Sequence, residues 1–250
     1  MHRRRFYAPP NQIDGKTIIL SAEETHHLVR ALRMRPGDEV FVFDGCGTEY
    51  ASRISSLDGG GARLEVESVL EGPAESPANI ILAQALAKNE RFDLVVQKAT
   101  ELGVREIVPV STSHGEVMPA GERAANRIER WRRISLEAAK QSGRRTLVQL
   151  QPVSSVTSAV ENARRSHPAL TLLVFNERGG ARVDAAVSGA SGSAIIVFIG
   201  PEGGWSDGEL EFFEEQNAIP VSLGPRILRT ETAAIAAITL VQHLLGDLSR

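Results

Sequence analysis

The chain has 250 residues, 42% apolar and 24% charged, with a net charge of −3, the proportions of a globular protein with room for one large or two smaller domains. No apolar run reaches the ~20 residues that span a bilayer, and the basic start "MHRRRFYAPPNQ" leads into no apolar signal core. The single Cys46 has no internal disulfide partner, so a membrane-spanning helix, a secretion signal and a disulfide scaffold are excluded and the cytoplasm is expected.

The first ~72 residues read as short β runs: "KTIIL" (16–20), "EVFVFDG" (39–45), "TEYASRIS" (48–55) and "ARLEVESVL" (62–70). Pro36-Gly37, Gly45-Cys46-Gly47 and Gly59-Gly60-Gly61 separate them as turns, which predicts a small, mostly antiparallel sheet or barrel. Ser21 and Glu24 have capping-box spacing and open a short helix through "THHLVRALRM". "EGPAESPAN" (71–79) reads as a linker.

From residue 79 strand and helix alternate. The strand candidates are 79–86, 106–110, 146–150, 170–175, 194–199 and 219–223, and they imply a parallel sheet with helices on both faces. Helices are expected over 90–102, about 121–141 and about 154–165. The first of these carries Phe92, Val95, Val96, Ala99 and Leu102 on one side, with Gly103 as its stop.

Charge is unevenly placed. Residues 1–35 hold seven basic residues against three acidic ones, and residues 122–145 hold eight against three. Two basic segments in an acidic chain suggest a polyanion surface, although arginines on a solvated helix face read the same way.

Ligands in parallel α/β sheets bind beyond the carboxyl ends of strands, and three of those ends stand out. In "VFIGPEGGWSDGEL" (197–210) the apolar strand meets Gly200-Pro201-Glu202-Gly203-Gly204-Trp205. Ser206 and Glu209 then cap a helix from about Asp207. The glycine spacing matches neither G-x-G-x-x-G nor the P-loop, and Glu202 would repel a pyrophosphate. A nucleoside-like ligand suits the loop better, and a plain tight turn is the bland alternative. In "LGPRILRTETAA" (223–234), Leu223-Gly224-Pro225 ends the last strand, Thr230 or Thr232 is the expected cap, and Arg229 stands beside Glu231. In "VFNERGG" (174–180), Asn176 offers a donor and an acceptor to a base or amide, or forms an Asx turn. The histidines have no metal-ligand spacing and no G-x-S-x-G elbow is present, so neither a zinc site nor a serine hydrolase is expected.

"IGPEGGWSDGE" and "LGPRILRTETAA" together resemble the C-terminal signature motifs of the SPOUT (trefoil-knot) RNA methyltransferases, and within them the RsmE family. "QKATELGV" (97–104) and "EAAKQSGR" (137–144) resemble that family's central motifs. "RRRFY" and "HHLVRALRMRPGDEVFVFDG" resemble its PUA-like domain. Lys140 departs from the pattern, where an acidic residue is expected. The resemblance implies an α/β fold: a PUA-like β-barrel RNA-binding domain over 1–72 and a SPOUT methyltransferase domain with a parallel sheet and a knot over 73–250. It implies a homodimer that methylates N3 of a uridine in 16S ribosomal RNA, on the RNA or the small ribosomal subunit, with S-adenosylmethionine (S-adenosyl-L-methionine) as cofactor and no metal. The implied cofactor-binding residues are Phe175, Asn176, Ile199, Gly200, Pro201, Glu202, Gly203, Gly204, Leu223, Gly224, Ile227, Leu228, Arg229, Thr232 and Ala233. Arg229 is expected to stabilise the uridine anion, and Glu202 to take the N3 proton or orient Arg229. Arg3, Arg4, Arg5, Arg30, Arg33, Arg35, Arg144 and Arg145 are the expected RNA contacts. Three rival readings remain: an enzyme of this class acting on another RNA such as tRNA, a non-catalytic RNA-binding or ribosome-assembly protein, and, more distantly, a dinucleotide-dependent dehydrogenase.

Overall fold

The structure, a computed structural model, describes residues 4–58, 61–72, 75–117, 121–190 and 193–249. The chain divides into two units, residues 1–75 with 139–147, and residues 76–138 with 148–250.

In the first unit β1 (Arg5–Tyr7), β2 (Ile13–Asp14), β3 (Thr17–Ile19), β4 (Glu39–Phe43), β5 (Glu49–Asp58) and β6 (Gly61–Leu70) form one sheet in the order β1-β4-β5-β6-β3-β2. Every pairing is antiparallel except β1 with β4. Alternating residues fill its core, with Ile18, Val40, Val42, Ile54, Leu64 and Phe6 buried, as period-2 side chains on a half-covered sheet require. Between β3 and β4 lies α1 (Ala22–His26), capped by the Ser21 hydroxyl accepting from the Glu24 N–H. The expected single helix is shorter: His27–Ala31 follows as a π turn, after which Arg33 takes φ 54°. Glu24 does not complete a capping box, because its carboxylate pairs with Lys140 inside the unit.

The second unit begins with β7 (Asn79–Ala85), α2 (Asn89–Glu101), β8 (Glu106–Ser111) and α3 (Glu122–Ser142), whose last residues belong to the first unit. Then come β9 (Gln149–Leu150), β10 (Ser154–Ser155), α4 (Val156–Ser166), β11 (Leu170–Phe175), α5 (Val183–Val187), β12 (Ala194–Ile199), α6 (Asp207–Glu215), β13 (Ile219–Val221) and α7 (Thr230–Leu245). The strands form one parallel sheet in the order β10-β8-β7-β12-β11-β13, with β9 beside β8. Ile80 and Leu82 of β7 and Ile195, Val197 and Ile199 of β12 face one core with α2, α3 and α7. Ile81, Ala83, Ile196 and Phe198 face the other, with α4 and α6. Burial on both faces is why these strands read as unbroken apolar runs. The expected strand over 146–150 is confined to Gln149–Leu150, because Thr146 and Leu147 are occupied with Gly45 and Cys46 in the first unit.

Candidate functional site

The carboxyl ends of β11, β12 and β13 open into a cleft, the place where parallel α/β sheets bind ligands. Phe175, Ile199 and Val221 end the three strands and form part of its wall. Two backbone turns complete it. In the first, the Gly204 N–H donates to the Pro201 carbonyl at 3.0 Å, and Gly204 takes φ +71°, a conformation that excludes most side chains. Gly200 lies against Trp205: a Cβ there would approach the indole to 3.1 Å. Trp205 is buried against Phe198 and Phe213, and its indole N–H donates to the Phe175 carbonyl at 3.1 Å. Ser206 and Glu209 form the expected capping box, which fixes where the turn ends and α6 begins. In the second turn Gly224 takes φ +103° and its N–H donates to Ser222 Oγ at 3.2 Å.

Of the residues expected to contact a cofactor, Phe175, Asn176, Ile199, Gly200, Pro201, Glu202, Gly204, Leu223, Gly224, Ile227, Leu228 and Ala233 line this cleft. Gly203, Arg229 and Thr232 do not. Gly203 backs onto the loop after β8, where a Cβ would come within 2.9 Å of His114. Thr232 is exposed on the first turn of α7. Arg229 is the N-cap residue of α7, exposed, with its carbonyl accepting from the Ala233 N–H at 2.8 Å. The expected threonine cap is therefore replaced: Thr230 is the first helical residue, and its hydroxyl donates to the Gly200 carbonyl at 2.7 Å. Glu202 pairs with Arg91 of α2 rather than with Arg229. Asn176 commits its Oδ1 to an Asx turn on the Arg178 N–H at 3.0 Å, which leaves its NH₂ donors.

Sequence reading does not count Glu177, Trp205, Val221, Arg226 and Thr230 among the cofactor contacts, although all of them line the cleft. It also passed over Gln84, a fully buried amide behind it. A polar residue inside the apolar run "NIILAQAL" was the available signal for Gln84. Among the described residues the charged groups of the lining are Glu177, Glu202 and Arg226, and Glu202 is neutralised by Arg91, so the cleft has no cluster of cations for a pyrophosphate.

The expected RNA contacts divide sharply. Arg4, Arg30, Arg33 and Arg35 are exposed, whereas Arg3 lies outside the described residues. Arg5, Arg144 and Arg145 are corrected: their guanidinium groups are spent on Glu49, Glu75 and backbone carbonyls of the first unit, with side chains 7%, 8% and 11% exposed. A charge buried in such a pair is not available to a phosphate.

Residues 74–242 match the RNA methyltransferase domain family and residues 20–67 the RNA methyltransferase PUA domain family. A curated relative, the ribosomal RNA small subunit methyltransferase E of a Synechocystis species, is 34% identical, covering 96% of this chain and 78% of its own. The enzyme of the same name from Bacillus subtilis is 29% identical, over 92% of this chain and 91% of its own. Among solved structures, the ribosomal RNA small subunit methyltransferase E of Neisseria gonorrhoeae bound to S-adenosylmethionine superposes with a TM-score of 0.88 at 36% identity, covering 99% of this chain and 100% of that one. A Legionella pneumophila methyltransferase in complex with the same cofactor superposes at 0.89 with 33% identity, covering 99% and 100%.

Proposed function

The chain belongs to the RNA methyltransferase family, and on that premise we propose that it methylates N3 of a uridine in 16S ribosomal RNA with S-adenosylmethionine as methyl donor. The observation that carries this reading is the cleft: two glycine-opened turns beside three strand ends, apolar walls, and no cluster of cations. That chemistry fits an adenosyl group joined to a sulfonium, which brings no phosphate and one positive charge. The turns at 199–204 and 223–228 would hold the nucleoside through main chain, and Asn176 would donate from the edge. When bound, S-adenosylmethionine supplies a methyl group on a cationic sulfur that leaves without needing an acid.

The chain's own task is to place uridine N3 in line with that methyl and to manage its proton. Arg229 stands at the N-terminus of the 16-residue helix α7, where the helix dipole adds positive potential to the guanidinium. An anion spread over the uracil carbonyls is stabilised there. Glu202, held by Arg91 at the cleft edge, is the carboxylate we assign to the N3 proton or to orienting Arg229. In the first unit, Arg4, Arg30, Arg33 and Arg35 grip phosphates, the role assigned to the region 1–72, while 73–250 carries the catalysis and the knotted chain end. We also assign the cytoplasm and a homodimer, the latter supported by Leu240, Leu244 and Leu248, which are 38%, 40% and 47% exposed on the last turns of α7 and just after it.

Mass spectrometry of 16S ribosomal RNA nucleosides from cells lacking the protein tests the reading. Loss of 3-methyluridine, restored by wild type and not by Arg229→Ala, is expected. Unchanged 3-methyluridine would overturn the assignment, and full restoration by Arg229→Ala would remove its catalytic role.

A further inference from the structure

Gln84 is the one polar residue in the interior of β7 and is wholly buried. It lies on the same face as Ile80 and Leu82, toward α7. Its Nε2 donates to Thr230 Oγ1 at 2.9 Å and to the Ala85 carbonyl at 3.1 Å. Thr230, 4% exposed, passes its own hydroxyl proton to the Gly200 carbonyl at 2.7 Å.

The direction of this chain of bonds follows from its ends. A backbone carbonyl only accepts, so Thr230 must donate to Gly200 and its oxygen must accept from Gln84. The Ala85 carbonyl likewise demands a donor. Both partners therefore place nitrogen, not oxygen, at Nε2, and a flipped amide would set carbonyl against carbonyl. The remaining Oε1 is buried with no hydrogen-bond partner in the described structure. The amide thus leaves one buried acceptor without a partner while its donors serve Thr230 and the Ala85 carbonyl.

We infer that Gln84 and Thr230 are positioning residues, a directed relay that sets the Gly200 turn against the start of α7 and thereby the geometry in which the methyl donor and Arg229 meet. The inference rests on the proposed function for the identity of the ligand. Gly200 is held from both sides, by the Thr230 hydroxyl and by the Trp205 indole that packs on it. Pro201 follows it and has no N–H, so no hydrogen bond donated from residue 201 helps to hold the turn. Thr230 directly follows Arg229, so one hydroxyl ties together the 199–204 turn and the helix end that presents the guanidinium. Reaction geometry of this kind tolerates little slack.

Three variants test it: Thr230→Val, Thr230→Ser and Gln84→Leu. Calorimetry with S-adenosylmethionine reads affinity and stoichiometry separately, and hydrogen exchange of the cofactor-free protein reads the turn itself. In Thr230→Val the amides of 199–205 should exchange about tenfold faster or more, with those of α2 unchanged. Its dissociation constant should rise about tenfold at unchanged stoichiometry, a factor that corresponds to 1.4 kcal/mol. Thr230→Ser should stay within about threefold of wild type by both measures. Gln84→Leu should bind more weakly at unchanged stoichiometry. Wild-type affinity and exchange in Thr230→Val, or a loss confined to stoichiometry or melting temperature, would overturn the relay. If wild type itself fails to bind S-adenosylmethionine, the proposed function falls. The exchange comparison then decides the relay alone, faster exchange supporting it and equal exchange overturning it.

Discussion

Arg5→Met separates an arginine that grips phosphate from one that builds the fold. Arg5 Nε lies 2.6 Å from Glu49 Oε1. Nη1 donates to the carbonyls of Ala139 and Lys140 at 2.9 and 3.0 Å, and Nη2 to that of Arg144 at 2.9 Å. Ala139 and Lys140 sit in the last turn of α3, where carbonyls have no partner within the helix. The guanidinium also lies over Phe43, 4.7 Å from the ring centre. Methionine keeps the apolar stem and removes every donor. Three carbonyl bonds at about 1 kcal/mol each and a charged bond at about 1.5–3 kcal/mol give a gross loss of about 4.5–6 kcal/mol. Glu49 keeps its second partner, Arg145, at 3.1 Å, so the low end applies, about 4.5 kcal/mol. Native-state hydrogen exchange over residues 136–147, with the β12 amides as reference, should then run about a thousandfold faster in the variant. Exchange within about threefold of wild type, together with a clear drop in RNA affinity, would refute the architectural role and return Arg5 to the RNA surface.

Three further outcomes are expected. Gly180→Ala should destabilise strongly, by about 3 kcal/mol or more in urea denaturation, because a Cβ there would lie 2.6 Å from the Pro220 carbonyl oxygen with backbone on every near side. Arg33 holds a left-handed φ of 54°, which costs a side-chain-bearing residue about 1–2 kcal/mol. Arg33→Gly should therefore leave the melting temperature equal or higher while weakening RNA binding and flattening its salt dependence by about 0.7–0.9 per lost contact. Glu106 has its carboxyl raised above the usual value, chiefly by burial, with His167 and the Gln151 side chain pulling the other way. A raised carboxyl penalises the folded state above its folded pKa, and the penalty fades as pH falls from there toward the ordinary glutamate value of about 4.3. Glu106→Gln should thus raise the melting temperature near neutral pH, and the gain should shrink on acidification; a gain that grows with acid would contradict this.

Much of this protein is local, and what is local was readable. Strands buried on both faces must be apolar throughout, so 170–175 and 194–199 were bounded to the residue. The Ser206–Glu209 capping box needs only neighbours three residues apart to set the end of the 200–205 turn. Glycines forced into left-handed backbone, such as Gly204 and Gly224, mark turns wherever they occur. The motifs built from these pieces carry the family resemblance by themselves.

Only the tertiary structure decided what each polar group touches, because its partner lies scores of residues away. Nothing in "RRRFY" distinguishes Arg4, exposed, from Arg5, whose carbonyl partners are 134 to 139 residues along the chain. Glu202 is expected to take a proton or orient Arg229, yet it pairs with Arg91, which a helix from another part of the chain brings up to it. Residues 139–147 belong with the N-terminal unit although they follow most of a helix of the other. Thr230 reads as a helix cap, but 30 residues back the Gly200 carbonyl claims its hydroxyl. Backbone preference acts over a few residues and is written locally; the desolvation of a charge or an amide is settled only by whatever the fold brings against it.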